Sequence, residues 1–365
     1  MKKVTVIVFI GFIGIVGLLL LLLPKQVYSD DENRYLTGLP EFSFEQVKSG
    51  AWMEEFEQFV NDQFPARLEW IALKTKLDLM LGKVESNGVY ITDEGYYIES
   101  FKQYEKDQLK KNVAALNRFA QQMDEQLGLP VQVMLVPTAA GILREQLPLF
   151  AIDLDQRREI AELSNESFKL IDISEALAEQ ADEYIYYKTD HHWTSLGAYY
   201  GYKAWKPDAM PLADYEEEVL SETFLGTLYS KVKVEPAKKD MMLSYTVPGL
   251  AQQVEYNLDG VVHETFFELE FLDRKDKYSV YFNGNQSVTR IVGAREKKKL
   301  LIIKDSYANT FAQFATADYA EVHMVDLRSF NMPVSQYVQM MGIDEVLVLY
   351  NYKNFTEDTH LYMLR

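Results

Sequence analysis

The chain has no cysteine in 365 residues, which excludes disulfides, thiol catalysis and cysteine-held metals. Histidine is scarce as well. Its five residues leave a short list from which any imidazole chemistry must be drawn. Basic charge is in deficit: 37 Lys and Arg stand against 55 Asp and Glu, a formal net charge of −18. Binding to a phosphate backbone depends on clustered cations, so this balance argues against a nucleic-acid partner. The chain has no fixed-period repeat and no low-complexity tract. What it does have is core material: 48% hydrophobic and 13% aromatic residues, enough for one large domain or two ordinary ones.

One long apolar run stands at the N-terminus. Lys2 and Lys3 precede an uncharged stretch from Val4 to Leu23, and Asp30, Asp31 and Glu32 follow it. Its length is about the 20 residues that a membrane-spanning helix needs. Positive residues before the span predict a cytoplasmic N-terminus, with everything after about residue 25 outside the cytoplasm. Val27-Tyr28-Ser29 offers a signal-peptidase site and hence secretion after cleavage. The run is longer than the ~7–15 residues of a cleaved signal core, however, and this favours an uncleaved anchor. Residues 1–29 are therefore read as a membrane anchor or signal segment.

Residues 30–82 read as a helical entry segment. Trp52, Phe56, Phe59, Val60 and Phe64 recur at helical spacing, Pro65 interrupts, and Trp70, Leu73, Leu77 and Met80 continue to a stop at Gly82. From residue 83 to 365 helices and strands alternate. Leu109, Val113, Leu116, Ala120 and Met123 form a helix face, and Val131 to Val136 a buried strand. A helix around 155–164 leads to a strand over Lys169–Ile173, and Ser174 caps a short helix to about Gln180. A strand over Tyr184–Lys188 then delivers Asp190 and His192. Residues 208–295 break the rhythm with turn residues and alternating runs such as Tyr278–Phe282, which predicts a β-rich insertion. The alternation resumes with Lys299–Lys304 and strands near Glu321–Val325 and Glu345–Tyr350. The fold class is α/β, a mainly parallel sheet flanked by helices.

Two segments carry chemistry. Thr189-Asp190-His191-His192-Trp193 packs a carboxylate and two imidazoles into three positions. Lys304-Asp305-Ser306-Tyr307 ends an apolar strand in a hydroxyl residue at a helix start. Functional groups of open α/β sheets gather at such carboxyl ends. Asp190 and His192, two apart in an extended segment, point to the same side, so the carboxylate can fix the imidazole tautomer. A serine hydroxyl needs such a base to become a nucleophile. The pattern thus admits a Ser306–His192–Asp190 triad. It also admits plainer readings, with Ser306 as a helix cap and Trp193 as core. Asp190, His191 and His192 form a weak metal-ligand set that would need His263, His323 or His360 to complete it.

The same residues resemble the DHHW-motif proteins of bacterial cell envelopes, which are similar to the alginate O-acetyltransferases. Further likeness lies in Glu32-Asn33-Arg34-Tyr35-Leu36, Gly226-Thr227-Leu228-Tyr229-Ser230 and Tyr281-Phe282-Asn283-Gly284-Asn285. The resemblance implies an SGNH-hydrolase-like fold, circularly permuted so that the Asp-x-His block precedes the Ser block. It implies Ser306 as nucleophile, His192 as general base and Asp190 as its partner. The Ser306 N–H with Asn351 or Asn309 would supply the oxyanion donors, and His191, Trp193 and Tyr307 would act from behind. Lys304 replaces the usual first Gly of the Ser block. No cofactor and no metal is implied. The implied function is O-acyl transfer to, or deacetylation of, an envelope or exported polysaccharide, with a membrane-bound O-acyltransferase as partner. A non-catalytic glycan-binding or assembly protein of the same fold is the alternative.

Overall fold

The computed structural model describes residues 2–32, 34–165, 167–236, 238–295 and 297–364; Asn33 of the segment singled out above lies outside them. The chain divides into two compact units, Met1–Asn87 with Tyr229–Glu235, and Gly88–Leu228 with Pro236–Arg365.

The second unit is built on an eight-stranded sheet: β1 (Val131–Val136), β2 (Lys169–Leu170), β3 (Val254–Tyr256), β4 (Val262–His263), β5 (Val288–Val292), β6 (Lys299–Lys304), β7 (Glu321–Val325) and β8 (Glu345–Asn351). Their order across the sheet is β4-β3-β5-β7-β6-β8-β1-β2. The strands from β7 to β2 in that order are parallel, and β5, β3 and β4 extend the sheet antiparallel beyond β7. β6 lies between β7 and β8, and the buried Leu300-Leu301-Ile302-Ile303 run suits a strand covered on both faces.

Alternation sends Leu300 and Ile302 to one face, where α5 (Ser195–Trp205) and α6 (Ala308–Ala315) pack through Tyr202, Phe311 and Phe314. Leu301 and Ile303 face the other way, toward Leu116, Phe119 and Met123 of α4 (Lys106–Leu127) and Tyr337 of α7 (Val334–Met341). Each such Leu or Ile contributes about 1.5–3 kcal/mol when fully buried. The result is a sheet sandwiched between helices, with the carboxyl ends of the parallel strands at one rim.

Several local expectations are corrected. Tyr184–Lys188 is not a strand; only an isolated bridge, Tyr186 to Trp193, remains of it. The reason is a side chain that takes over the backbone donors. The buried Asp240 carboxylate accepts from the Lys188 N–H (2.7 Å), the Thr189 N–H (2.8 Å) and the Thr189 hydroxyl, and from the Tyr184 hydroxyl. Tyr278–Phe282 is not a strand either, since a 3-10 turn covers Lys277–Val280. The β-rich stretch gives β3, β4 and β5 to the central sheet, and Glu216–Phe224 pairs with Asp240–Thr246 as a separate ribbon. Alternation in sequence reports a pleated strand but not the sheet it joins. Ser174 is the first residue of its helix and not the cap, a position that Ile173 takes; the Asp172 carboxylate accepts the Ser174 N–H at 2.9 Å.

The first unit contains α1 (Lys2–Leu22), α2 (Ala51–Asp62) and α3 (Arg67–Met80). α1 is the one helix among the described residues long and apolar enough to cross a membrane, and its side chains stay uncovered, Leu21 being 80% exposed. Arg34 holds the chain that follows it: its guanidinium grips Asp62 of α2 at 2.6 Å and Glu32 at 2.7 Å.

Candidate active site

The Ser306 turn is held by the residue before it. Asp305 is buried, and its carboxylate accepts the Tyr307 N–H at 2.9 Å, the Asn351 N–H at 2.9 Å and the Asn354 amide at 2.8 Å. It therefore ties the end of β6 to the end of β8. α6 begins at Ala308, so Ser306 is not spent as a helix cap. Its hydroxyl is 2.7 Å from His192 Nε2 instead. Among the described residues the Ser306 N–H has no hydrogen-bond partner.

Lys304, at the position where glycine was expected, points away from the hydroxyl. It is buried, and its ammonium donates to Asn285 (2.7 Å) and Asn309 (2.8 Å). Burial lowers its pKa to about 8. The altered residue thus knits the Tyr281–Asn285 segment to α6 behind the turn.

His192 completes a chain of contacts. Its Nδ1 is 2.5 Å from Asp190 Oδ1, which also accepts the His192 backbone N–H at 3.0 Å. Asp190 Oδ2 accepts the Thr227 N–H at 2.8 Å and the Thr227 hydroxyl at 3.1 Å. Burial pushes the Asp190 carboxyl up, but the His191 and His192 imidazoles and the Thr227 N–H outweigh it, holding the group well below the usual carboxylate range. Burial and the neighbouring His191 bring His192 down to about 4, against the pull of Asp190. An uncharged imidazole at neutral pH is what proton abstraction requires.

The carboxylate reaches this place because residue 226 is glycine. A Cβ there would stand 2.2 Å from Asp190 Cβ and 2.3 Å from Oδ2, inside any tolerable contact. Tyr278 closes the opposite face of the imidazole, stacked on His192 with centroids 3.8 Å apart and planes 8° from parallel. Its hydroxyl donates to the Ser306 carbonyl at 3.2 Å.

The other residues singled out from sequence are distributed as follows. Trp193 is fully buried and its indole N–H donates to the Tyr307 carbonyl at 2.9 Å. The Tyr307 hydroxyl donates in turn to the His191 carbonyl, so each of the two segments holds the other. Asn351 caps α8 (Tyr352–Glu357) through its side-chain oxygen, and its amide reaches the Val136 carbonyl at 3.4 Å. It lines a small pocket with Thr138, His191, Leu228, Tyr307 and Asn354. Asn309 is directed elsewhere, its amide toward Gly284 and Asn285 and its oxygen occupied by Lys304.

Asp190, His191 and His192 place one ligand atom each within 4.8 Å of one another. Both ring nitrogens of His192 are engaged, however, with Asp190 and Ser306. His263 pairs with Glu268, His323 with Tyr337 and Glu321, and His360 with Asp358; among the described residues none joins the cluster. Sequence reading missed Thr227 as a clamp on Asp190, Tyr278 as the wall of the imidazole and Asp240 as the anchor of its loop. Only the Gly226-Thr227 dipeptide carried a signal, a glycine next to a hydroxyl inside a segment already singled out.

A family model described as DHHW protein matches residues 81–325. Among solved structures the chain is similar to a DHHW family protein from Eubacterium siraeum, at 26% identity and a TM-score of 0.66, over 77% of this chain and 96% of that one. It is similar to Bacillus cereus PatB1, solved with a sulfonyl adduct, at 21% identity and a TM-score of 0.63, over 76% and 98%. The O-acetyltransferase domain of Pseudomonas putida AlgJ aligns at 15% identity and a TM-score of 0.47, over 74% and 93%. Comparison with curated proteins gives no match.

Proposed function

The chain belongs to the DHHW family, and from that premise we propose that it is a membrane-anchored, serine-dependent O-acyltransferase acting outside the cytoplasm on a polysaccharide. The observation that carries the reading is the continuous contact chain Ser306 Oγ–His192 Nε2–His192 Nδ1–Asp190 Oδ1, at 2.7 and 2.5 Å across its two contacts. His192 takes the Ser306 proton as Oγ attacks the acyl carbonyl, and Asp190 stabilises the imidazolium that forms. The leaving group departs with that proton, and an acyl ester remains on Ser306. A sugar hydroxyl, deprotonated by His192, then receives the acyl group and restores Ser306. Water in its place makes the same site an esterase.

The Ser306 N–H, without a partner among the described residues, supports an oxyanion donor at the helix start, with the Asn351 amide as the second candidate. Asn309, bound to Lys304, is the weaker candidate. The uncovered helix α1 supports anchoring, and the lysines before it support an extracytoplasmic catalytic unit. A permuted connectivity is supported by β1 and β2, early in the chain yet seated beyond β8. Transfer outside the cell needs an acyl donor delivered across the membrane, the role proposed for a membrane-bound O-acyltransferase partner. The reading is tested with p-nitrophenyl acetate and intact-mass analysis of the full chain in detergent micelles. Acetyl on Ser306 supports it. Saccharide binding without an acyl-serine favours the glycan-binding alternative.

Two outcomes follow for this site. Because His192 is held down to about 4, acylation by the activated ester is expected to stay level from pH 8 to about 5. Below about pH 4 protonation removes the base and the rate falls about tenfold per pH unit. A kcat/KM profile reads this, and a midpoint near 6.5 contradicts the buried, uncharged imidazole. Gly226→Ala forces Asp190 out of line by a large fraction of an ångström. Ester cleavage is expected to fall about 100-fold, as misplacement by about 1 Å does elsewhere. A loss below threefold means that Asp190 has room the structure does not give it.

A further inference from the structure

We infer that His191, the imidazole outside the contact chain, is the docking point for a second hydroxyl of the acceptor, so that the site selects diols over simple alcohols. The inference rests on the acyltransferase reading. Its basis is a proton count. An ionised carboxylate has no proton to offer, so the Thr227 hydroxyl donates its only hydrogen to Asp190 Oδ2 at 3.1 Å. The contact of 2.7 Å between that hydroxyl and His191 Nδ1 must then be donated by His191. In its uncharged form the ring therefore carries its hydrogen on Nδ1 and presents a bare Nε2.

Among the described residues that Nε2 has no hydrogen-bond partner, whereas both nitrogens of His192 are engaged. The side chain is 29% exposed and lines the pocket shared with Tyr307, Asn351 and Asn354. A partly exposed, fixed acceptor beside the base has one chemical use here, to accept a hydrogen bond from something that enters. The two imidazoles lie 3.9 Å apart, centroid to centroid, and are tilted by 38°. Neighbouring hydroxyls on a sugar ring are separated on the same scale, so one can reach His192 while the other reaches His191.

The step balances without a new reactant. The reacting hydroxyl gives its proton to His192 Nε2, its oxygen bonds to the acyl carbon, and the acyl–Oγ bond of Ser306 breaks. His192 returns the proton to Oγ. The second hydroxyl keeps its proton and only donates a hydrogen bond to His191 Nε2, which holds the acceptor against competition from water.

The test uses the full chain in detergent, p-nitrophenyl acetate as donor, and trans-1,2-cyclohexanediol or cyclohexanol as acceptor. The quantity read is the ratio of transfer to hydrolysis. Both products come from the same acetyl-Ser306, so the ratio is independent of how fast that intermediate forms. The unaltered protein is expected to favour the diol by at least tenfold. His191→Asn keeps a donor for Thr227 but removes the outward acceptor, and should bring the two alcohols within twofold. His191→Gln, which restores a polar atom at the Nε2 position, should recover part of the preference. Equal use of the two alcohols by the unaltered protein, transfer to neither, or a diol preference that survives His191→Asn overturns the inference. Absence of acetyl-Ser306 in the unaltered protein overturns the acyltransferase reading itself, and this result is separately visible by mass.

Discussion

Replacing Ser306 with alanine is expected to abolish acyl release from p-nitrophenyl acetate, with a loss of about 10⁴–10⁶-fold in kcat, as for nucleophiles that act as part of a unit. Ser306 Oγ is partly exposed and stands 2.7 Å from His192 Nε2, the ring nitrogen that Asp190 leaves open. Without it His192 has no internal alcohol to deprotonate, and residual turnover falls to what an imidazole achieves with water. The substitution should barely disturb the fold. The turn is held by the Asp305 carboxylate and the backbone of Asn351, neither of which involves the serine side chain. Thermal unfolding close to that of the unaltered protein, with no acetyl adduct by mass, is the expected pair of results. Turnover within tenfold of the unaltered protein would remove Ser306 from the mechanism and leave the contact chain as structural.

Asp190→Asn is the second large effect, about 10⁴-fold in kcat, the scale on which a triad depends on its carboxylate. Both oxygens of Asp190 accept hydrogen bonds, Oδ1 from His192 and Oδ2 from the Thr227 N–H and hydroxyl. No orientation of an amide satisfies both sides. With its NH2 toward His192 it meets the His192 backbone N–H and imposes the wrong ring tautomer. With its NH2 toward Thr227 it meets another N–H donor. One buried donor is left unpaired either way, at about 1–3 kcal/mol of stability. Chemical denaturation and ester hydrolysis read the two losses independently. A variant that keeps a tenth of the activity would assign proton handling to His192 without its carboxylate.

What could be read from sequence follows the range of the interaction. The α/β alternation, the helices of residues 51–80 and the apolar strand before Ser306 were legible because periodicity is local. The pairing of Asp190 with His192 was legible because two residues of spacing place both on one side, even though the segment proved to be a loop and not a strand. Thr227, Tyr278 and Asp240 were not legible as parts of the site. Each reaches it from 37 to 86 residues away in number, through a hydroxyl, a ring face and a carboxylate that carry no local pattern. Lys304 reads as a lapse in a glycine position. In the structure its ammonium satisfies two asparagine oxygens, a role that only the folded arrangement of Asn285 and Asn309 discloses. The β-rich stretch illustrates the same limit, since β3 and β5 give no sign in their own residues that they will extend a sheet whose centre is encoded after them.

The order of strands in that sheet also bears on when Ser306 comes to lie beside His192. β1 and β2 come early in the chain, but the partner that joins β1 to the centre is β8, where Asn351 meets Val136 across 215 residues of sequence. β6, which ends two residues before Ser306, lies between β7 and β8 and has no neighbour from the first half of the chain. Such non-local pairing makes nucleation slow, because the loop must close before any contact rewards it. A chain emerging from its N-terminus therefore exposes Asp190 and His192 long before a sheet exists to hold Ser306 beside them. On that account the contacts among Asp190, His192 and Ser306 form together, in one late, cooperative event, once β8 has joined the sheet.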